Sequence, residues 1–408
     1  MSTTYEPGGP VPAEMIPLCV PHIAGNEGMY VQDCIDTGWV SSVGAYVDRF
    51  EQMIAERMGT KYAVATVNGT AALHMALKVG GVEPDDEVLV STLTFIASAN
   101  AIRYANAWPV FIDAEPYHWQ MDPNLVEEFL TRRCEWKQGA LRNKLTGRRV
   151  RAIEPVHVLG HPVDLDPILE LARKYNLLVV EDAAEALGTR YKGRSVGGLG
   201  ELGCLSFNGN KLITTGGGGM VITNNEAMAA KIRYLTTQAK DDPVEYCHNE
   251  VGYNYRLPNL LAAFGCGQLE KLADYIDCKK RVAAQYREEL QGVPGIHHYE
   301  AASYADCTWW LYTVQIDPLE FGMTSRELRS RLGQRNIQTR PLWQAMHASP
   351  AHQPAQAVIT GVADRLVAEC LSLPSSVGIT SEQVRHVCRT IRQTQQQTTN
   401  HVRSVDAA

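Results

Sequence analysis

Leu177-Leu-Val-Val-Glu-Asp182-Ala-Ala-Glu185 is the stretch that decides the fold. An unbroken apolar run of strand length marks a strand buried on both faces, because a half-exposed strand would alternate apolar and polar positions. Outward from it, between about residues 62 and 223, short apolar runs alternate with helical patterns. Strands are expected at 62–67, 87–91, 108–112, 152–158, 177–181, 203–207 and 219–223, and helices at 70–79, 96–105, 123–132 and 165–175. Parallel strands need a crossover between them, usually helical, so this alternation predicts an α/β fold with a mostly parallel central sheet. Ligands of such sheets gather beyond the carboxyl ends of the strands. From about residue 259 the pattern changes to one long helix, 260 to about 289, followed by a mixed region with an aromatic strand at 309–316. The expected division is a flexible arm over 1–15, a large domain over 16–258, and a connecting helix with a smaller α+β domain over 259–408. The Gln-rich tail after Arg392 reads as a fraying end.

A chain of 408 residues exceeds what one compact domain needs. Hydrophobic residues at 45% and charged residues at 20% are ordinary globular usage, and no apolar run approaches the roughly 20 residues that cross a bilayer. The stretch from Met1 to Glu14 has neither a basic segment nor an apolar core of a secretory signal. A soluble, cytoplasmic protein without membrane contact is the expectation. The net charge of −7, with scattered Lys and Arg, leaves no electrostatic footprint for nucleic acid. Ten cysteines without a Cys-x-x-Cys pair predict reduced thiols and no metal site.

Four motifs carry chemistry. Asp182 ends the decisive strand, and a carboxylate in a partly dry site needs a cation or a metal. A protonated pyridine nitrogen is one such cation, while a helix cap or an ordinary ion pair would explain a single Asp equally. Next comes Ser206-Phe-Asn-Gly-Asn-Lys211-Leu-Ile-Thr-Thr-Gly216-Gly-Gly-Gly219. Its glycines mark a tight loop or a close backbone approach, and Lys211 stands at a strand end. A lone loop lysine is usually solvated, and a nucleotide phosphate loop does not fit because Lys211 precedes the glycines. In Val67-Asn68-Gly69-Thr70-Ala71-Ala72-Leu73 a strand runs through Gly-Thr into a helix, whose first-turn amides and Thr hydroxyl can hold phosphate. A plain N-cap is the structural alternative. Finally, Phe95 in Thr92-Leu-Thr-Phe95 offers a face for an aromatic cofactor or for core packing. Taken together the four supply a phosphate cradle, a stacking face, an acid for a ring nitrogen and an amine. Those are the parts of a pyridoxal 5'-phosphate (PLP) site.

The chain resembles the DegT/StrS family of sugar aminotransferases, fold-type I PLP enzymes, from about residue 16 to 392. The resemblance rests on Gly38-Trp-Val-Ser-Ser with Phe50-Glu51, Asn68-Gly-Thr-Ala-Ala-Leu, Thr94-Phe-Ile-Ala, Glu181-Asp-Ala-Ala-Glu-Ala-Leu-Gly, Ser206-Phe-Asn-Gly-Asn-Lys, Gly252-Tyr-Asn-Tyr-Arg and Arg340-Pro-Leu-Trp. It implies that Lys211 is the Schiff-base lysine and Asp182 the partner of the pyridinium. It further implies that Gly69, Thr70 and Ser206 hold the phosphate and that Phe95 covers the ring. Asn254 would reach the cofactor phosphate of the neighbouring subunit, which makes the protein a homodimer with shared active sites. Trp39, Tyr255, Arg256, Trp343 and His347 are candidate sugar contacts, each with a packing role as its alternative.

Two departures stand out. Glu185 occupies the place of a Gln that contacts the cofactor's 3-hydroxyl in many members, and Asn208 replaces the usual His or aromatic residue. Both are similar to the subgroup that makes 4-amino-4,6-dideoxy-N-acetyl sugars toward bacillosamine or legionaminic acid. The implied reaction transfers an amino group from L-glutamate to a nucleotide-linked 4-keto-6-deoxy sugar by a ping-pong route. The nucleotide, UDP or GDP, and the geometry of the new amine stay open. A non-catalytic sugar-binding or regulatory protein on the same fold is the rival reading, and the retained Lys211 and Asp182 argue against it. A nicotinamide oxidoreductase is disfavoured by the missing dinucleotide fingerprint.

Overall fold

Strand Leu178–Asp182 is buried at every position, as are Glu87–Ser91 and Gly219–Thr223. Such strands can only lie inside a sheet covered on both faces. The computed structural model describes residues 15–242 and 244–406, with side chains as far as residue 398, so the arm expected before residue 15 lies outside the described residues. Its main sheet has eight strands in the order Tyr62–Thr66, Gly219–Thr223, Leu202–Ser206, Leu178–Asp182, Val150–Glu154, Glu87–Ser91, Trp108–Ile112 and Gln356–Val358. From Leu202–Ser206 onward every pairing is parallel. Gly219–Thr223 runs antiparallel to both its neighbours. This is the mostly parallel α/β sheet that the alternation predicts.

Period-two geometry divides each strand between two cores. Leu89, Ile153 and Val179 join one, with the helices Ala45–Met58, Leu165–Tyr175 and Asn259–Glu270. Val88, Val90, Ala152, Leu178 and Val180 join the other, with Gly69–Val79, Ile96–Tyr104 and Glu226–Thr236. Both faces are apolar, which is why the strands read as continuous runs.

The same geometry sends the two neighbouring acids apart. Asp182 shares the face of Leu178 and Val180, whereas Glu181 lies on the opposite one. Glu181 is fully buried and accepts four bonds: from the N–H of Gly197 at 2.6 Å, Leu199 at 2.7 Å and Gly200 at 2.6 Å, with His157 Nε2 at 3.1 Å. Burial opposes its ionisation, yet the His157 contact and these amides win and hold its carboxyl below the usual range.

A second sheet of four strands, Ile296–His298, Thr313–Ile316, Cys370–Ser372 and Arg340–Pro341, is antiparallel throughout. Leu272–Leu290, Ser325–Gly333 and Ser381–Asp406 pack around it through Tyr286, Leu328, Val387 and Ile391. Ile16 belongs to this core and bridges Ile337. In the reverse direction, Gln356–Val358 returns to the edge of the main sheet, beside Trp108–Ile112.

Several expected boundaries moved. The single helix at 260–289 is two, Asn259–Glu270 and Leu272–Leu290, broken at Lys271 with φ −98° and ψ 0°. The break precedes the change of core: Leu272, Tyr275 and Ile276 still join the core of the first helix, and the second helix enters the other core from Val282 on. The strand expected at 309–316 starts at Thr313, because Trp309 adopts a left-handed φ of 54° that turns the chain first. The helix expected at 123–132 ends at Glu128 and continues as a π-helical turn, Phe129–Arg133, into the hairpin Cys134–Lys137 with Ala140–Asn143. Past Arg392 the chain stays helical to Asp406 instead of fraying.

Replacing Glu181 by Gln points an N–H₂ group at one pair of its donors. The expected loss is about 2–4 kcal/mol of stability, read from urea unfolding. Because the folded value lies below the unfolded one near 4.5, wild-type stability from this group is present above that pH and is lost as pH falls through the lower, folded value. The gap between the two proteins should therefore narrow in acid.

Candidate active site

At the carboxyl edge of the main sheet lies a cavity of about 210 Å³. The antiparallel course of Gly219–Thr223 puts its first residue, not its last, on that edge, opposite Thr66 and Ser206. The glycine run before it is thereby delivered to the same place as the ends of the parallel strands. A Cβ at position 219 would lie 2.4 Å from the Asn68 carbonyl carbon and 2.6 Å from the Gly69 nitrogen. Glycine is required there for the backbones to meet.

Across that contact, Asn68 caps Gly69–Val79 by accepting from the Ala71 N–H at 2.7 Å. The N–H groups of Gly69 and Thr70, in the first turn, have no acceptor within the helix. They line the cavity together with Ser206, and a Cβ on Gly69 would press to 3.0 Å from that of Ser206. This is an anion cradle of amides and hydroxyls.

Asp182 is 4% exposed. Its Oδ2 accepts from Ser98 Oγ at 2.7 Å, and Oδ1 from the Ala184 N–H at 3.0 Å. Ser98 is tied in turn to Thr94 Oγ1 at 2.9 Å. Both carboxylate oxygens are thus oriented by neutral donors, and no cation of the described residues pairs with either one.

Lys211 follows strand Leu202–Ser206 in a tight turn where its N–H donates to the Asn208 carbonyl at 3.0 Å. Its Nζ lies 3.4 Å from Glu185 Oε1 and 3.9 Å from the centre of the Trp310 ring. Glu185 is held by the Leu159 N–H, which donates to Oε2 at 2.9 Å. Burial raises the Glu185 carboxyl above its ordinary value, and the nearby Lys211 opposes that rise. Phe95, which is 53% exposed, lines the same cavity as Val156 and Ala184.

Gly69, Thr70, Phe95, Asp182, Glu185, Ser206, Lys211 and Trp343 therefore share one cavity. Five other expected residues do not line it. Arg256 is buried against Glu51, because a guanidinium taken out of water must keep a carboxylate. Tyr255 stacks on Tyr253 with centroids 5.1 Å apart. His347 is used between Thr92 Oγ1 at 2.8 Å and Asp364 Oδ1 at 3.3 Å. Trp39 and Asn254 are exposed on the surface. Conversely, Ser98 and Trp310 were not anticipated. Trp310 stacks with Trp343, ring planes 5° apart, and its Nε1 donates to the Asn210 carbonyl at 2.7 Å. The Trp309-Trp310 pair was the available signal; Ser98 had only its place one turn after Thr94.

An amide cradle, an uncompensated carboxylate and an amine lining one cavity fit a phosphorylated pyridine aldehyde. Residues 21–392 match the DegT/DnrJ/EryC1/StrS aminotransferase family. The chain belongs to this family. Its cofactor is PLP. A GDP-perosamine synthase of Caulobacter vibrioides is 38% identical over 93% of this chain and 98% of that protein. The UDP-4-amino-4-deoxy-L-arabinose–oxoglutarate aminotransferase of Shewanella sediminis is 32% identical over 79% and 82%. Among solved structures, DesV of S. venezuelae is 32% identical with a TM-score of 0.81, covering 91% of this chain and 94% of that one. None of these relatives carries the expected bacillosamine or legionaminic acid assignment. Asn208 and Glu185 both line the Lys211 cavity.

Gly219→Ala should drive the two backbones apart at the phosphate cradle. The expected outcome is at least a tenfold loss of PLP affinity, measured by fluorescence titration of the apoprotein, with a lowered Tm.

Proposed function

We propose that this aminotransferase moves an amino group from L-glutamate to the 4-keto carbon of a nucleotide-linked 4-keto-6-deoxy sugar. The observation that carries the reading is the placement of the Lys211 amine and the Asp182 carboxylate in one cavity floored by the Gly69–Thr70 amides. PLP, when bound, supplies the electron sink that absorbs the charge left when a C–H proton departs. Asp182, fixed by Ser98 and Ala184, holds the proton on the ring nitrogen. Lys211 Nζ would hold the cofactor through its aldehyde carbon, and the same amine would carry the proton from the donor's α-carbon. Glu185 Oε1 gives that Nζ a partner for its proton. Gly69, Thr70 and Ser206 take the phosphate. Trp310, Trp343 and Phe95 screen the reacting atoms from water.

The Shewanella relative's name supports both an amine at position 4 and the glutamate–oxoglutarate pair as donor couple. The Caulobacter relative, alike over nearly its full length, favours GDP as the nucleotide. The enzyme works as a homodimer. Ile23, Met29, Ile35, Trp39 and Val43 are large apolar side chains left exposed on and beside Glu27–Thr37, and a second copy of the chain would cover them. Asn254 then serves the partner's cofactor, in line with its exposure on its own subunit. We also place the enzyme in the cytoplasm, where ten cysteines remain thiols.

Borohydride reduction of the yellow holoenzyme should fix the cofactor on Lys211, and a mass spectrum placing it on another lysine sinks the assignment. Lys211→Ala should lose turnover entirely. Amine formation from glutamate across GDP- and UDP-linked 4-keto-6-deoxy sugars, with and without a 2-acetamido group, names the substrate; none with any of them would favour a non-catalytic role. In addition, mixed dimers of inactive Lys211→Ala and impaired Asn254→Ala chains should regain activity, because one of their two sites is then wild type. No gain on mixing would show that Asn254 does not act across the dimer.

A further inference from the structure

Glu154 ends the strand Val150–Glu154, directly beside the strand of Asp182. It is fully buried, and neither carboxyl oxygen has a hydrogen-bond partner among the described residues. Native interiors rarely leave a carboxyl so unmet, and the exceptions call for an explanation. Ile153 pairs with Val179 and Val156 with Asp182, so Glu154 stands level with Val180 and one diagonal step below Asp182 on the same face. The backbone joins them too: the Asp182 N–H donates to the Pro155 carbonyl at 2.9 Å, and the His157 N–H to the Asp182 carbonyl at 3.0 Å. Val156, two residues on, lines the cavity.

We infer that Glu154 is a second acid of this site, a positioning residue that acts on the cofactor ring through Asp182. The inference rests on Asp182 being the partner of the ring nitrogen. Burial, and after it the charge of Asp182, push the Glu154 carboxyl well above the ordinary range. The other titratable neighbour is the Cys204 thiol, paired in register with Asp182 and likewise driven upward by burial and by these acids. Among the described residues, the helices packed on this face turn their cations elsewhere, Lys231 to Glu250 among them. His74 and Lys78 face Tyr253, Arg103 stacks on Trp108, and Arg233 pairs with Glu51. When Glu154 gives up its one proton to hydroxide, the new charge has no counterion nearby, and its field reaches the ring nitrogen through Asp182. A ring proton opposite two acids is held to higher pH than one opposite a single acid.

The test is the pH titration of the bound cofactor's absorption in wild-type, Glu154→Gln and Glu154→Met holoenzymes. The Met variant fills the same space without a buried amide, so it covers the case in which Gln folds poorly. In both, the alkaline spectral midpoint should fall by about one pH unit, the scale at which neighbouring groups titrate as a pair. A purely structural Glu154 would alter the Tm and leave that midpoint in place, and unchanged midpoints in the folded variants overturn the inference. Asp182→Asn separates the two ideas. An unaltered spectrum in that variant, with cofactor still bound, overturns the reading of the site and this inference together. Unaltered spectra in the Glu154 variants alone overturn only the inference.

Discussion

A carboxylate at the buried end of a strand must be met by positive charge or by well-placed donors, since its ionised form is costly to take out of water. Among the described residues Asp182 is met by a hydroxyl and an amide and by no cation, so its charge is oriented but not neutralised. That leaves it as a ready counterion for a cationic ring. The rest of the cavity follows from where this one side chain lies: the amide cradle, the Phe95 face and Lys211 all line the space that opens from it. Glu181, one residue earlier, shows the opposite solution. Its four partners fill both carboxylate oxygens and tie down the strand end that carries Asp182.

Close backbone approach supplies the second constraint. One strand of the main sheet runs against its neighbours, and this reversal brings the Gly216–Gly219 segment to the carboxyl edge. Contact between Gly219 and Asn68–Gly69 then seats the phosphate-binding helix start beside Ser206. Helix N-terminus, glycine turn and strand end are thereby one rigid unit, and the anion site needs no cationic side chain.

The C-terminal region contributes to the same cavity. Trp310 and Trp343 reach it from beyond the second sheet's strands, and Trp310 presents its ring face to Lys211 Nζ. A cation over an indole face is favourable, so the lysine is steered by an aromatic wall on one side and by Glu185 on the other. The edge strand Gln356–Val358 ties this region back to the main sheet.

Much of this could be read from the chain alone. Apolar runs without alternation specify strands covered on both faces, and motifs placed at strand ends specify an edge, because both depend on neighbours in sequence. Asp182, Lys211, Gly69, Thr70 and Phe95 were recognised on that ground and Ser206 through the family resemblance, and all six line one cavity. Tertiary structure alone decided the remainder. Arg256 and His347 sit in polar motifs that suit a substrate equally well, yet partners far off in sequence, Glu51 and Thr92, stand against them. Ser98, Trp310 and Glu154 gain their neighbours from strands and loops far away in sequence. Local pattern carries what a residue can do; which charge, ring or donor stands opposite it is settled only when the sheet closes.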